Sequence, residues 1–220
     1  MDTIKRPSWV LDENKNGRQL QIQNSKKCIE LGSGCGLGGL TMGALGFDTI
    51  LTDLPTVVDH VLETNRRQNQ RHIKDWWYQL LEQSHKPENA SLPLEDPKVK
   101  VKALDWLDLC AKRCCDKEEE NDDEQLSWLE PPYNYILAAD CIYTTELVRP
   151  LLKCISYLAS PTSTILVALE HRDDIVVNNF VQQAKSLGFD TRMIPKKSLR
   201  TKAIRNDDIE IWKLKKKRSA

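Results

Sequence analysis

Residues 28–40 read CIELGSGCGLGGL, and the stretch carries two glycine patterns laid over one another. From Gly34 to Gly39 the spacing is G-x-G-x-x-G, the turn that seats a pyrophosphate on a helix N-terminus. From Glu30 to Gly36 it is E-x-G-x-G-x-G, which suits a nucleoside whose cationic sulfonium stands where a pyrophosphate would be. Both patterns demand the same local structure. A strand from Lys27 to Leu31 leads into a glycine turn, and a helix from about Leu37 to Leu45 follows, closed by Gly46.

Outward from this unit the same alternation continues. Asp48 to Asp53 (DTILTD) reads as a second strand, and Pro55 stands in the first turn of a helix carrying Val57, Val58, Val61 and Leu62 at helical spacing. The order β-α-β-α predicts a parallel, right-handed, doubly wound sheet. Lys98 to Trp106 alternates Val99, Val101 and Ala103 with lysines, as a third strand with one wetter face would. Asn134 to Asp140 is apolar on both faces and is expected mid-sheet. A helix from Thr145 to about Leu158, a strand from Thr164 to Leu169 and a helix from about Ile175 to Leu187 complete the winding. Phe189 to Ile194 and Asp208 to Leu214 are then left as a terminal antiparallel hairpin, for seven strands in all.

Two segments interrupt the pattern. The polar stretch after Asn69 predicts an insertion at about 70–97 with one extra helix and a loop, and Trp76, Trp77 and Tyr78 in it serve either to dock a partner or to pack that helix. The run DKEEENDDE (116–124) marks a second insertion at about 108–131 and reads as a solvated acidic segment. The domain so framed spans 26–215, after an N-terminal extension at 1–25 and before a basic tail at 216–220.

Composition narrows the function classes. The 32 basic and 32 acidic residues cancel, so no overall field favours nucleic acid or an anionic membrane. The first residues contain no signal-like apolar core and no run reaches the ~18 apolar residues of a membrane span. A cytoplasmic monomer is therefore expected, with LKKKRSA at 214–220 as either a nuclear signal or a solvated tail. Seven scattered cysteines predict reduced thiols. Cys110-x-x-x-Cys114-Cys115 lacks the His or second Cys pair that would complete a tetrahedral set, so no metal is expected.

In an open parallel sheet the ligand lies beyond the carboxyl ends of the strands, so the residues that follow each strand are the candidates. After strand 1 come Gly32, Ser33 and Gly34, where missing Cβ atoms admit a ligand to the backbone, with Glu30 available to its cationic part. Asp53 ends strand 2, 21 residues beyond Gly32, where a carboxylate can accept both ribose hydroxyls or cap the next helix. Trp106 ends strand 3 beside Asp105 and can stack on an adenine or pack in the core. Ala139, Asp140 and Tyr143 stand at the end of strand 4, the last two suited either to chemistry or to capping and packing.

Strand count separates the two cofactor readings, because a nicotinamide enzyme of Rossmann type needs a second βαβ half and a substrate region that this chain lacks room for. A seven-stranded sheet with a reversed final strand resembles S-adenosylmethionine-dependent methyltransferases. Asp140-x-x-Tyr143 after strand 4, E-L-G-S-G-x-G upstream, T-D-L after strand 2 and L-x-W after strand 3 together resemble the family 16 protein lysine methyltransferases, over roughly Lys26 to Lys215. The resemblance implies a Rossmann-like class I fold and S-adenosyl-L-methionine as cofactor, held by Glu30, Gly32, Ser33, Gly34, Asp53, Trp106 and Ala139. It further implies catalytic roles for Asp140 and Tyr143 toward a lysine ε-amine. Substrates in that family are proteins: elongation factors, Hsp70-type chaperones or an AAA-type segregase. The family's tryptophan in a helix before strand 1 has no counterpart, so the N-terminal extension reads as a shortened cap. The competing reading is a weak or inactive methyltransferase fold that acts as a protein-binding module. Glu130-Pro131-Pro132-Tyr133 imitates the N-P-P-Y loop of nucleobase methylases, but it precedes strand 4, whereas that loop must follow it.

Overall fold

The computed structural model describes residues 26–82, 96, 98–113, 126–171, 173–198 and 208–218. The sequence readings for the N-terminal extension, the acidic run, Cys114 and Cys115 fall outside these residues. Seven strands form one sheet in the order β3-β2-β1-β4-β5-β7-β6. They are β1 (Lys27–Leu31), β2 (Asp48–Asp53), β3 (Val99–Ala103), β4 (Tyr133–Ala139), β5 (Ala159–Glu170), β6 (Phe189–Met193) and β7 (Ile209–Lys216). The first five pair in parallel, whereas β7 runs antiparallel to both β5 and β6 and lies between them. The expected reversed hairpin is present, with its later strand on the inside.

Helix α1 (Leu37–Ala44) joins β1 to β2, and α5 (Thr145–Leu158) joins β4 to β5. These two crossovers step in opposite directions along the sheet, so right-handed connection places them on opposite faces. The helix after β2 packs with α1, while α4 (Trp106–Arg113), α5 and α6 (Asp174–Ser186) pack together. Between β1 and β4 the winding reverses direction. The ends of those two strands open the crevice in which such sheets hold a ligand.

β4 is the middle strand, as its sequence predicts, but its burial alternates instead of being complete on both faces. Ile136 and Ala138 are fully buried, whereas Tyr135 and Leu137 are partly covered, Tyr135 meeting the edge of Phe47 at 4.8 Å between ring centres. On the α5 side Val148, Leu151, Leu152, Ile155 and Leu158 are buried at four- and three-residue spacing against Ile165, Val167 and Leu214. Burying a set of side chains of this size contributes roughly 2 kcal/mol each.

Three expectations change. The helix begun at Pro55 does not stop near Asn69: α2 (Pro55–Val57), a π turn (Val58–Leu62) and α3 (Glu63–Glu82) run on without a break. Its polar stretch holds together through Glu63, which accepts from Arg66 and Arg67 one turn on, and through a narrow apolar stripe at Leu62, Ile73 and Trp77. Trp77 is buried, Trp76 is 44% exposed, and the Tyr78 hydroxyl donates to Asp96, so the aromatic triplet divides between packing and surface. Trp106 opens α4 instead of closing β3, because Asp105 Oδ1 accepts the Leu107 N–H at 2.8 Å and caps that helix. β5 begins five residues earlier than its apolar core suggests, at Ala159 in place of Thr164.

Candidate active site

The glycine turn sits at the carboxyl end of β1, beside the ends of β2 and β4, because β1 pairs with both. Its backbone needs φ of 63° at Gly32, 54° at Gly34 and 86° at Gly36, values that side chains disfavour. Gly32 also lacks room: a Cβ there would lie 2.9 Å from Cys141 Cβ and 3.2 Å from the Trp106 ring. Opposite conditions hold at Gly34, where a Cβ would meet nothing within 4 Å. One flank of the turn is thus packed by the neighbouring strands' ends and the other is open for a ligand.

Carboxylates fix the turn from beneath and beside. Glu30 is 3% exposed, and its Oε2 accepts the Gly39 N–H at 2.9 Å. Burial pushes its carboxyl above the usual range, with the Asp53 charge adding to the effect and the Gly39 N–H opposing it. Asp53 Oδ2 accepts the Gly34 N–H at 2.7 Å, and Oδ1 accepts the Leu54 N–H at 2.8 Å. The helix cap beyond it is Leu54, so the capping alternative for Asp53 does not hold. Two of the carboxylate's roughly four lone-pair sites are used, and the rest suit a diol. Ser33 belongs to the strand ends: its N–H donates to the Thr52 carbonyl and its hydroxyl accepts the Thr52 N–H at 3.1 Å.

At the end of β4 the chain turns sharply. Ala139 is exposed, Asp140 has φ 51°, and the Asp140 N–H donates to the Ala168 carbonyl of β5 at 2.9 Å. α5 is capped at Thr144, so Asp140 is not its N-cap, and Tyr143 is 60% exposed instead of packed. Cys141, in contrast, is buried, and that burial pushes its thiol up to about 12, which removes it as a nucleophile at neutral pH. Among the predicted residues, Glu30, Gly32, Ser33, Gly34, Asp53 and Trp106 meet around the turn, while Ala139, Asp140 and Tyr143 form the adjoining rim. Trp106 is partly buried, with one ring edge against Gly32.

Sequence reading missed two contacts on the turn. Asn65 Nδ2 donates to the Cys35 carbonyl at 2.9 Å, and Leu62 Cδ1 lies 2.7 Å from where Gly36 would carry a Cβ. No motif signals either, because both act on the turn from a segment distant in sequence, Leu62 closing the π turn and Asn65 lying just beyond it.

A doubly wound sheet with an inserted antiparallel seventh strand, a glycine turn after β1 and an acid at the end of β2, is the class I methyltransferase fold. A family 16 methyltransferase model, described as lysine methyltransferase, matches residues 6–92 and 82–186, and the chain belongs to that family. The protein-lysine N-methyltransferase rrg1 of Schizosaccharomyces pombe is 29% identical over 126 residues, covering 57% of this chain and 32% of that protein. EEF1A lysine methyltransferase 3 of Xenopus tropicalis is 24% identical over 189 residues, 86% of this chain and 63% of that one. The chain thus spans about a third and under two thirds of these two relatives. Among solved structures, the glycopeptide N-methyltransferase MtfA complexed with S-adenosylmethionine shares the fold, with TM-score 0.56 and 11% identity over 88% of this chain and 82% of that one.

Proposed function

We propose that this protein transfers a methyl group from S-adenosylmethionine to a lysine side chain of a protein substrate. The observation that carries the reading is the convergence, at the β1–β4 reversal, of an open-flanked glycine turn, the Asp53 carboxylate and the exposed Asp140–Tyr143 rim. Family membership and the MtfA fold, described with its S-adenosylmethionine, support the same cofactor.

The residues present fit that group. Asp53 retains acceptors for a ribose, the open flank at Gly34 admits an amino-acid moiety, and buried Glu30 offers negative charge to a cation. Bound there, S-adenosylmethionine supplies an electrophilic methyl group. This chain's part is to bring a neutral amine to it, since an ammonium has no lone pair to offer. At the rim, Asp140 and the Tyr143 hydroxyl orient the ε-amine, the Asp140 carboxylate takes its proton, and burial beside a cation lowers the lysine pKa. Holding the amine in line accounts for most of the rate. A protein of elongation-factor type is the first substrate to try, because one relative carries that substrate in its name.

Calorimetric titration with S-adenosylmethionine, followed by labelled-methyl transfer into a cell lysate and location of the label by mass spectrometry, tests the proposal. Micromolar binding and label on a lysine are expected. Equal or tighter binding of NAD overturns it, and cofactor binding without any labelled protein leaves the binding-module reading in its place.

A further inference from the structure

The glycine turn carries three left-handed glycines in five residues, and so permissive a backbone needs hydrogen-bond partners to hold one conformation. Within it, the Cys35–Gly36 peptide is gripped on both sides. Its N–H, on Gly36, donates to the Ser33 carbonyl at 2.7 Å, and its carbonyl, on Cys35, accepts from Asn65 Nδ2 at 2.9 Å. The first bond is internal to the turn. The second comes from another element, α3.

Asn65 reaches the turn because of what precedes it. An i→i+5 turn at Val58–Leu62 takes in one extra residue and rotates the helix beyond it by roughly 100°, one residue's share of an α-helical turn. The rotation brings Asn65, three residues past Leu62 and so on its face, against the same loop. Leu62 is fully buried and sits under Gly36. Asn69 Nδ2 donates to the Asn65 backbone carbonyl at 2.8 Å, so the helix is tied immediately after the contact.

We infer that Asn65 is a positioning residue for the cofactor site: by fixing the Cys35–Gly36 peptide it sets the shape of the turn without touching the ligand. The inference rests on the methyltransferase reading above. Its consequence is a separation of effects. Asn65 governs how well the cofactor is held and leaves the lysine-side chemistry at Asp140 and Tyr143 alone.

The test uses Asn65→Asp and Asn65→Ala in the full chain. Aspartate keeps the shape but cannot donate to a carbonyl, and its added charge would by itself favour a cationic ligand. Both variants should bind S-adenosylmethionine about 5- to 10-fold more weakly by calorimetry, the yield of one lost hydrogen bond. The KM for cofactor should rise equally, and kcat at saturating cofactor should stay within about twofold. Should the alanine variant fail to fold, the near-isosteric aspartate variant carries the comparison. Wild-type binding with an unaltered Asn65→Asp affinity overturns the inference alone, as does a fall in kcat with affinity unchanged. A wild-type protein that binds no S-adenosylmethionine overturns the methyltransferase reading and this inference with it.

Discussion

Asp140 is the non-glycine residue with positive φ among the described residues, and it stands where β4 meets the crevice. A left-handed backbone is tolerated by aspartate better than by most side chains, at a cost of roughly 1 kcal/mol. Asp140→Asn and Tyr143→Phe keep the shapes and should lower methyl transfer by about 10- to 1,000-fold with cofactor affinity unchanged; full activity in both would return the pair to a purely local role. Glu30 makes the opposite kind of prediction. Its carboxyl is held above the ordinary value by burial, so the folded state favours the protonated form, and the charge costs stability once pH passes the unfolded value of about 4.5. Glu30→Gln keeps an acceptor for Gly39 and should raise the Tm of the ligand-free protein, more at pH 8 than at pH 5, while weakening cofactor binding. A Tm difference that does not grow with pH would show that burial is not the cause. Glu30, Gly32, Gly34 and Asp53 meet at the turn as their places at the strand ends predict. Asn65 was not legible in the sequence, since its partner is a main-chain carbonyl and any residue could have supplied it.

Helices and strands were legible where apolar period was strong and illegible where charge pairs replaced it. α5 declares itself by six buried positions, whereas α3 beyond Asn69 hides its narrow stripe among Gln70, Arg71, Lys74, Asp75 and Gln79. Gly46 marks how tightly that stripe closes on α1: its φ is 89°, and a Cβ would strike the Trp77 ring. Gly46→Ala should therefore cost about 3 kcal/mol or more by urea unfolding, and a loss under about 1 kcal/mol would show that Trp77 gives way easily. On the opposite side of the sheet, His171 ties three elements together. Its Nδ1 lies 2.7 Å from Glu210 of β7, and its Nε2 lies 2.6 Å from Asp174 of α6, just beyond the end of β5. Only the imidazolium donates at both nitrogens, and Glu210 first, then Asp174, holds its pKa above the usual value. That stability is fully present below about pH 6.5 and is lost as pH rises through the higher folded value. Between pH 6 and 9 the wild type should lose urea stability relative to His171→Gln, and parallel pH profiles would remove the tie.

At the scale of the molecule, the β-α alternation announced the winding and the hairpin, but not that β7 would lodge between β5 and β6. Pairing partners that distant in sequence leave no period to read. Leu214 of β7 is fully buried beside Ile165, so Leu214→Ala should cost about 2–5 kcal/mol, and a smaller loss would mean that β7 only lines the sheet. Because β7 follows β6 in the chain yet occupies the slot before it, a chain stopped short of Ile209 is left with two raw edges facing a gap. Such edges adhere to any strand offered. A fragment ending at Ser198 should therefore aggregate when alone and be rescued by a synthetic peptide of residues 209–218 supplied in trans. The molecule divides, by its own topology, into a lock and a removable key.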